Sequence, residues 1–250
     1  MLALGLPLDA PIGDLVPGLA PVYAGRKVAD LLNHTSGLDD YGQLPEYHAA
    51  VAAGEQAWSR SELLERAQQL AHANTGFQYS NIGYLLLRMA VEGATGESLF
   101  ASMSASIPAL AVAAAAGDAL EWETTTDVVP GYDPRWVYSG TFLARPEANA
   151  PLFAAMLTHR QTLAPLDTGL ANVPYPNTGF DNPGYAYGLM EDGGGNLPLR
   201  YAGHGGGGPG FGLMVLCNTA KGAGALRWQA GPGFDQAVAI GELKTELARV

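Results

Sequence analysis

The stretch from Phe77 to Met89, F-Q-Y-S-N-I-G-Y-L-L-L-R-M, restricts the fold more than any other part of the chain. Thr75-Gly76 before it is a turn signal, and Ile82, Leu85, Leu86 and Met89 then recur at helical spacing on one apolar face. Ser80 or Asn81 can cap the helix by accepting a hydrogen bond from the free N–H groups of its first turn. Tyr79, Ser80 and Asn81 are therefore expected at a loop-to-helix junction with a buried helix behind them. Polar side chains held that way can line a site; they can equally be the start of an ordinary core helix.

The remaining elements follow from local pattern. Val28, Leu31 and Leu32 predict a short helix stopping at Asn33, before the tight loop His34-Thr35-Ser36-Gly37-Leu38. Ser59-Arg60-Ser61-Glu62 is a capping box ahead of Leu63, Leu64, Ala67 and Leu70. The first helix should end near Gly93 or Gly96, and the alanine-rich segment from Ser98 to Ala116 should also be helical. A further helix is expected over Leu152–Thr158, and an irregular loop over Asn172–Pro183. Strands are expected at Tyr185–Met190 and Leu197–Ala202, joined by Asp192-Gly193-Gly194-Gly195. A second pair is expected at Phe211–Cys217 and Ala225–Gln229, joined around Lys221-Gly222. Asp235 can cap a closing helix carrying Ile240, Leu243 and Leu247. Helices in the middle and a strand meander at the end predict an α+β fold with an antiparallel sheet.

Between the strand pairs lies Gly203-His204-Gly205-Gly206-Gly207-Gly208-Pro209-Gly210. Glycines there strip side chains from a sheet margin, so a ligand can approach the backbone and use its N–H groups. The G-x-G-x-x-G match at Gly203, Gly205 and Gly208 lacks the following helix that a dinucleotide site needs.

Composition excludes several function classes. With 24 acidic and 13 basic residues the formal net charge is −11, and no Lys/Arg cluster supplies a phosphate-backbone footprint, so nucleic acid is not an expected partner. The single cysteine, Cys217, rules out an internal disulfide and a cysteine-based metal cluster. No apolar segment reaches transmembrane length, and no signal peptide is recognisable at the N-terminus. There is no Gly-x-Ser-x-Gly elbow and no H-E-x-x-H spacing, which argues against an α/β-hydrolase and a metalloprotease.

Three segments occur in order: Leu31-Leu32-Asn33-His34-Thr35-Ser36-Gly37-Leu38, Tyr79-Ser80-Asn81-Ile82-Gly83-Tyr84 and His204-Gly205-Gly206-Gly207-Gly208-Pro209-Gly210-Phe211. Together they resemble the serine β-lactamase and penicillin-binding-protein superfamily, in the branch holding class C β-lactamases, D-alanyl-D-alanine carboxypeptidases and related esterases. The likeness runs from about Leu6 to the C-terminus. It implies a single β-lactamase-like domain over residues 1–250, with a mainly helical part at about 28–170 and an antiparallel sheet with its helix at about 185–250. It implies a small-molecule or peptide substrate and no cofactor. Tyr79 and Asn81 match the Tyr-x-Asn element, in which the tyrosine moves a proton and the asparagine hydrogen-bonds the substrate amide. His204, Gly205 and Gly206 match the Lys-Thr-Gly element in its histidine variant, and Gly207 takes the position of one oxyanion N–H donor. Trp136-Val137-Tyr138-Ser139-Gly140 resembles a segment near the site, which adds Tyr138 and Ser139 as substrate contacts. Tyr132, Trp136, Tyr138, Tyr175 and Tyr185 either line a cleft or are scattered core and surface aromatics.

One departure concerns the nucleophile. The family's serine lies in Ser-x-x-Lys, but the residues three before Lys27, Lys221 and Lys244 are Ala24, Asn218 and Gly241. The chain is expected to begin downstream of the family's nucleophile helix and first strands. Without the lysine cations, Tyr79 should stay protonated at neutral pH, and the polypeptide alone should not form an acyl-enzyme. A serine hydrolase deprived of its nucleophile segment and a non-catalytic ligand binder are the two readings left open.

Overall fold

The computed structural model describes residues 1–70, 76–125, 129–193 and 200–249. The chain divides into two compact units, Met1–Ser106 with Leu120–Leu143, and Ile107–Ala119 with Ala144–Val250.

The first unit is helical. Its helices are α1 (Pro21–Ala24), α2 (Val28–Leu32), α3 (Pro45–Ala52), α4 (Arg60–Ala67), α5 (Asn81–Thr95) and α6 (Leu99–Ser106). Helix α2 stops at Asn33, and Ser59 caps α4 through the Glu62 N–H, as the local patterns require. Helix α5 is the centre of this unit. Ser80 caps it, Gly96 closes it in the left-handed conformation at φ 71°, and Ile82, Leu85, Leu86 and Ala90 are buried along one side. Arg88 is buried on the same helix. Its guanidinium is paired with Glu92 one turn on and with Glu123, and it also donates to the Tyr138 carbonyl, so its buried charge is compensated. An aromatic cluster packs beside it: Trp136 lies edge-on to Tyr47 at 5.4 Å and to Trp58 at 5.1 Å, and Tyr41 lies edge-on to Tyr138 at 5.4 Å. Strands Ala119–Glu121 (β1) and Phe142–Ala144 (β2) form a two-stranded sheet.

The second unit carries helices α7 (Pro108–Ala116) and α8 (Pro146–Leu163) ahead of the sheet. The alanine-rich segment is thus two helices, broken where Pro108 cannot supply an N–H. Helix α8 runs well beyond the expected Leu152–Thr158 and contains Pro151, five residues past Pro146 at its first position. The sheet is a meander of β3 (Ala171–Asn172), β4 (Pro183–Ala186), β5 (Leu189–Asp192), β6 (Tyr201–Gly208), β7 (Phe211–Asn218) and β8 (Ala223–Ala230), antiparallel throughout. The final helix, α9 (Gln236–Arg249), is capped by the Asp235 carboxylate, which accepts from the Ala237 and Val238 N–H groups. Its Ile240, Leu243 and Leu247 pack on Met214, Leu216 and Ala225, while Leu157 of α8 packs with Leu189, Ala202 and Cys217. Cys217 is a buried apolar residue, as its surroundings in sequence imply.

Two strand assignments need correction. The run from Tyr185 to Met190 is a hairpin rather than one strand, because Gly188 (φ 83°) lets the chain reverse between Ala186 and Leu189. The strand expected to end at Ala202 runs on through Gly208, so the glycine run at the sheet margin is most of β6. Leu197–Leu199 and the glycines at 194 and 195 lie outside the described residues.

Candidate functional site

The Tyr79 junction is held from below by the loop after α2. His34 sits there, buried, at φ 60°, a left-handed conformation that histidine tolerates better than most residues. Its carbonyl accepts from the Gln78 N–H at 2.8 Å, and its Nδ1 accepts from the Ser80 N–H at 3.1 Å. The ring also stacks on Tyr79 at 4.2 Å and on Tyr84 at 5.0 Å between centroids. Ser80 adds a second tie by donating from Oγ to the Asp39 carbonyl at 2.9 Å. The His34–Leu38 loop is therefore a scaffold. Ser36 within it is buried, and its carbonyl accepts from Arg26.

Asp40 faces the start of α5. One carboxylate oxygen accepts from the Gly42 N–H at 2.7 Å, and the other from the Asn81 backbone N–H and from Asn81 Nδ2 at 2.9 Å. An anion at a helix N-terminus is favoured by the free N–H groups and the dipole there. The Tyr79 hydroxyl is pushed up to about 12, first by burial and then by the Asp40 charge. At neutral pH it is a proton donor or a neutral hydrogen-bonding group and not a base.

Tyr138, expected as a substrate contact, is a core residue. It is 2% exposed, packs between Tyr41 and Trp136, and donates its hydroxyl proton to the Trp58 carbonyl at 2.9 Å. Burial is the first cause that holds its ionisation far above the ordinary tyrosine value. Ser139 follows it, half-buried. Trp136 is core as well, its indole N–H satisfied by the Glu55 carbonyl at 3.1 Å.

The second unit holds the glycine strand. The Gly231 N–H donates to the Gly210 carbonyl at 2.7 Å, one step beyond the Phe211↔Ala230 pair. Backbone groups in an antiparallel ladder alternate sides, so the even-numbered residues of β7 face β8 and the odd-numbered ones face β6. Across the register Gly206↔Leu213 and Gly208↔Phe211, the even residues of β6 face β7, and Gly205 and Gly207 face the other way. On that side β5 pairs with β6 only as far as Gly203. The Gly205 and Gly207 backbone groups thus lie on an edge that no strand covers among the described residues.

His204 is committed to this edge. Its Nδ1 meets the Gly205 carbonyl at 2.6 Å, and a carbonyl can only accept, so Nδ1 carries the proton. Nε2 is left to accept from the Tyr185 hydroxyl at 3.0 Å. Burial lowers its ionisation below the usual imidazole range, outweighing the Gly205 carbonyl, so the ring is neutral. It braces Gly205 and does not replace the cation of a Lys-Thr-Gly element. One glycine in the strand is obligatory for space: a Cβ on Gly203 would lie 2.1 Å from the Val215 carbonyl oxygen, whereas one on Gly205 would meet Gln236 Oε1 at 2.0 Å, the end of a flexible side chain that can swing away.

None of the three lysines provides a base for a hydroxyl nucleophile. Lys27 is exposed at the start of α2. Lys221 donates to the Ala248 carbonyl, and Lys244 is paired with Asp181 at 2.8 Å and Asp192 at 2.6 Å. No group of three or more His, Cys, Asp or Glu residues is arranged to hold a metal among the described residues.

Sequence reasoning missed Asp40 and the clamping role of His34. Both act across more than forty residues of chain on a loop of different local character, which no spacing rule detects.

Comparison with known proteins agrees with this architecture. No curated protein matches the chain. Among solved structures it is similar to a D-stereospecific amidohydrolase from Streptomyces sp. (TM-score 0.72, 21% identity, covering 92% of this chain and 78% of that one). It is similar to an octameric penicillin-binding protein homologue from Pyrococcus abyssi (TM-score 0.68, 20% identity, covering 99% of this chain and 64% of that one). It also resembles a class C β-lactamase (TM-score 0.65, 14% identity, covering 100% of this chain and 80% of that one). At these identities the likeness establishes the fold, a β-lactamase/transpeptidase-like arrangement of helices and antiparallel sheet. The β-lactamase family profile matches residues 3–239, and the chain is accordingly a member of the β-lactamase family of serine hydrolases.

Proposed function

We propose that this polypeptide carries the binding and proton-donating parts of an acyl-transfer hydrolase for a β-lactam, a D-Ala-D-Ala peptide or a small ester. In this reading Tyr79 delivers a proton to the leaving group and Asn81 contacts the substrate amide. A positioned proton donor contributes roughly 10²- to 10⁴-fold in rate. The observation that carries the reading is the Tyr79-Ser80-Asn81 junction, clamped by His34 and Asp40 at the tip of a buried helix. Such rigidity is needed in a group that must meet a reacting atom and exceeds what capping a helix requires.

On its own the chain should bind without forming an acyl-enzyme. Its 250 residues contain no Ser-x-x-Lys, and a tyrosine at about 12 cannot deprotonate a serine at pH 7. The test is intact mass after incubation with a fluorescent penicillin or a fluorophosphonate, alongside calorimetry with benzylpenicillin. Reversible binding with unchanged mass is expected. A single stoichiometric adduct would refute the non-acylating half, and absence of any binding would refute the substrate class.

A further inference from the structure

We propose that Arg160 and Glu191 form a proton-operated latch between helix α8 and strand β5: while Glu191 carries its proton the two side chains stand unpaired, and once that proton is lost the carboxylate takes the open edge of the Arg160 guanidinium. The latch lies wholly within the second unit and does not depend on the ligand assignment above.

The fold brings the pair to one face of the sheet. Glu191 lies opposite Ala202, and Ala202 lies opposite Cys217; residues directly opposite one another share a face. Ala202 and Cys217 pack with Leu157 of α8, so Glu191 points towards that helix, and Arg160 follows Leu157 by about one turn. Glu191 has no exposed surface. Both of its carboxyl oxygens, and Nε and Nη2 of Arg160, are buried without a hydrogen-bond partner among the described residues. Buried polar atoms in that condition are costly, and these two sets are complementary. The guanidinium is already half fixed: Nη1 donates to the Ala164 carbonyl at 2.8 Å and to the Pro165 carbonyl at 3.3 Å, at the end of α8. The remaining edge, Nε with Nη2, is the parallel pair of N–H groups that a carboxylate accepts bidentately. A protonated carboxyl cannot fill it, because one oxygen would set its own O–H against an N–H. On ionisation the O–H bond breaks, the proton leaves to solvent, and two N–H···O bonds form while Nη1 keeps its carbonyls.

The surrounding groups set where the latch works. Burial first, then the charge of Asp167 on the segment after α8, push the Glu191 carboxyl up to about 8, with Arg160 opposing. Burial lowers the ionisation of Arg160, with Glu191 and then Tyr187 of the β4–β5 turn opposing. Each member of the pair therefore feels the charge of the other. The flanking strands add no charge: Gly184 and Ala202 face Glu191 directly, and Cys217 beyond them is held as a thiol, pushed up to about 11 by burial. His159, half-buried, stands beside Arg160 on α8. The latch is open at neutral pH and closes as pH rises through about 8.

NMR on the full chain, titrated from about pH 6 to 10, tests it. In wild type the Glu191 carboxyl carbon and the Arg160 Nε–H resonance should move together, with one midpoint near 8. In Glu191→Gln the Arg160 resonance should not respond to pH. In Arg160→Gln the Glu191 midpoint should rise by about one pH unit or more. Arg160→Lys keeps the charge and loses the fork, and should give a midpoint between those of wild type and Arg160→Gln. Asp167→Asn should lower the midpoint and leave the Arg160 response in place. An Arg160 resonance that stays still in wild type while Glu191 titrates, or that moves equally in Glu191→Gln, would overturn the latch. So would an Arg160→Lys midpoint equal to that of wild type, which would assign the effect to charge without the fork. Should Arg160→Gln fail to fold, the wild-type and Glu191→Gln resonances decide the question by themselves.

Discussion

Glu191 lies in the middle of strand β5, between Gly184 and Ala202, with no exposed surface and no hydrogen-bond partner for either carboxyl oxygen among the described residues. Burial first, then the Asp167 charge, pushes its carboxyl up to about 8 from 4.5, with Arg160 opposing. It is protonated in the folded protein at neutral pH. The sign of its effect follows by linkage: a raised folded-state value gives stability that is complete below about 4.5 and is lost as pH rises towards 8. Glu191→Gln keeps the shape and removes the titration. It should match wild type near pH 4 and exceed it by on the order of 3 kcal/mol near pH 8.5. Urea unfolding at the two pH values measures this; a gap that stays constant across the window would show that the carboxyl is not desolvated as described.

At the scale of the element, helix α5 and strand β6 obey different rules. The helix is legible because capping and apolar spacing are local, and Ser80, Ile82, Leu85 and Gly96 all act where the sequence puts them. The strand is not, because seven of its eight residues from Tyr201 to Gly208 lack the β-branched or aromatic side chains that mark strands. Neighbouring β7 makes it a strand by hydrogen-bonding it over eight residue pairs. The glycines within it are not equivalent. Gly203→Ala would set a methyl against the Val215 carbonyl, whereas at Gly207 the nearest atom lies 3.7 Å away. Gly203→Ala should therefore cost about 3 kcal/mol or more and Gly207→Ala under 1 kcal/mol. Thermal melts of the two variants decide it; equal losses would mean that β6 relaxes freely.

Over the whole molecule, charge is the property with a functional consequence. A net charge of −11 opposes the approach of an anionic ligand at low ionic strength, and salt screens that repulsion within about 10 Å at 0.1 M. Affinity for benzylpenicillin, an anion, should rise about two- to fourfold between 10 mM and 150 mM salt, while its neutral methyl ester should show no trend. A fall in the anion's affinity with salt would reveal a local cationic contact stronger than the overall field. Among the described residues no single helix is long and apolar enough to cross a membrane.

The sequence by itself determined the α+β class, the capped helices α4, α5 and α9, and the ordered set of segments around His34, Tyr79 and His204 that marks the family. These depend on interactions within a few residues or on residue identity alone. Tertiary structure decided the rest: that Tyr138 and Trp136 fill a core, that His204 is a neutral brace on Gly205, and that Asp40 holds Asn81. Each of those outcomes depends on which groups burial brings together and which lone pair or proton is already taken. Partners as far apart in the chain as Tyr138 and Trp58 leave no trace in spacing, because hydrogen bonds and desolvation act over ångströms of space and not over positions in sequence.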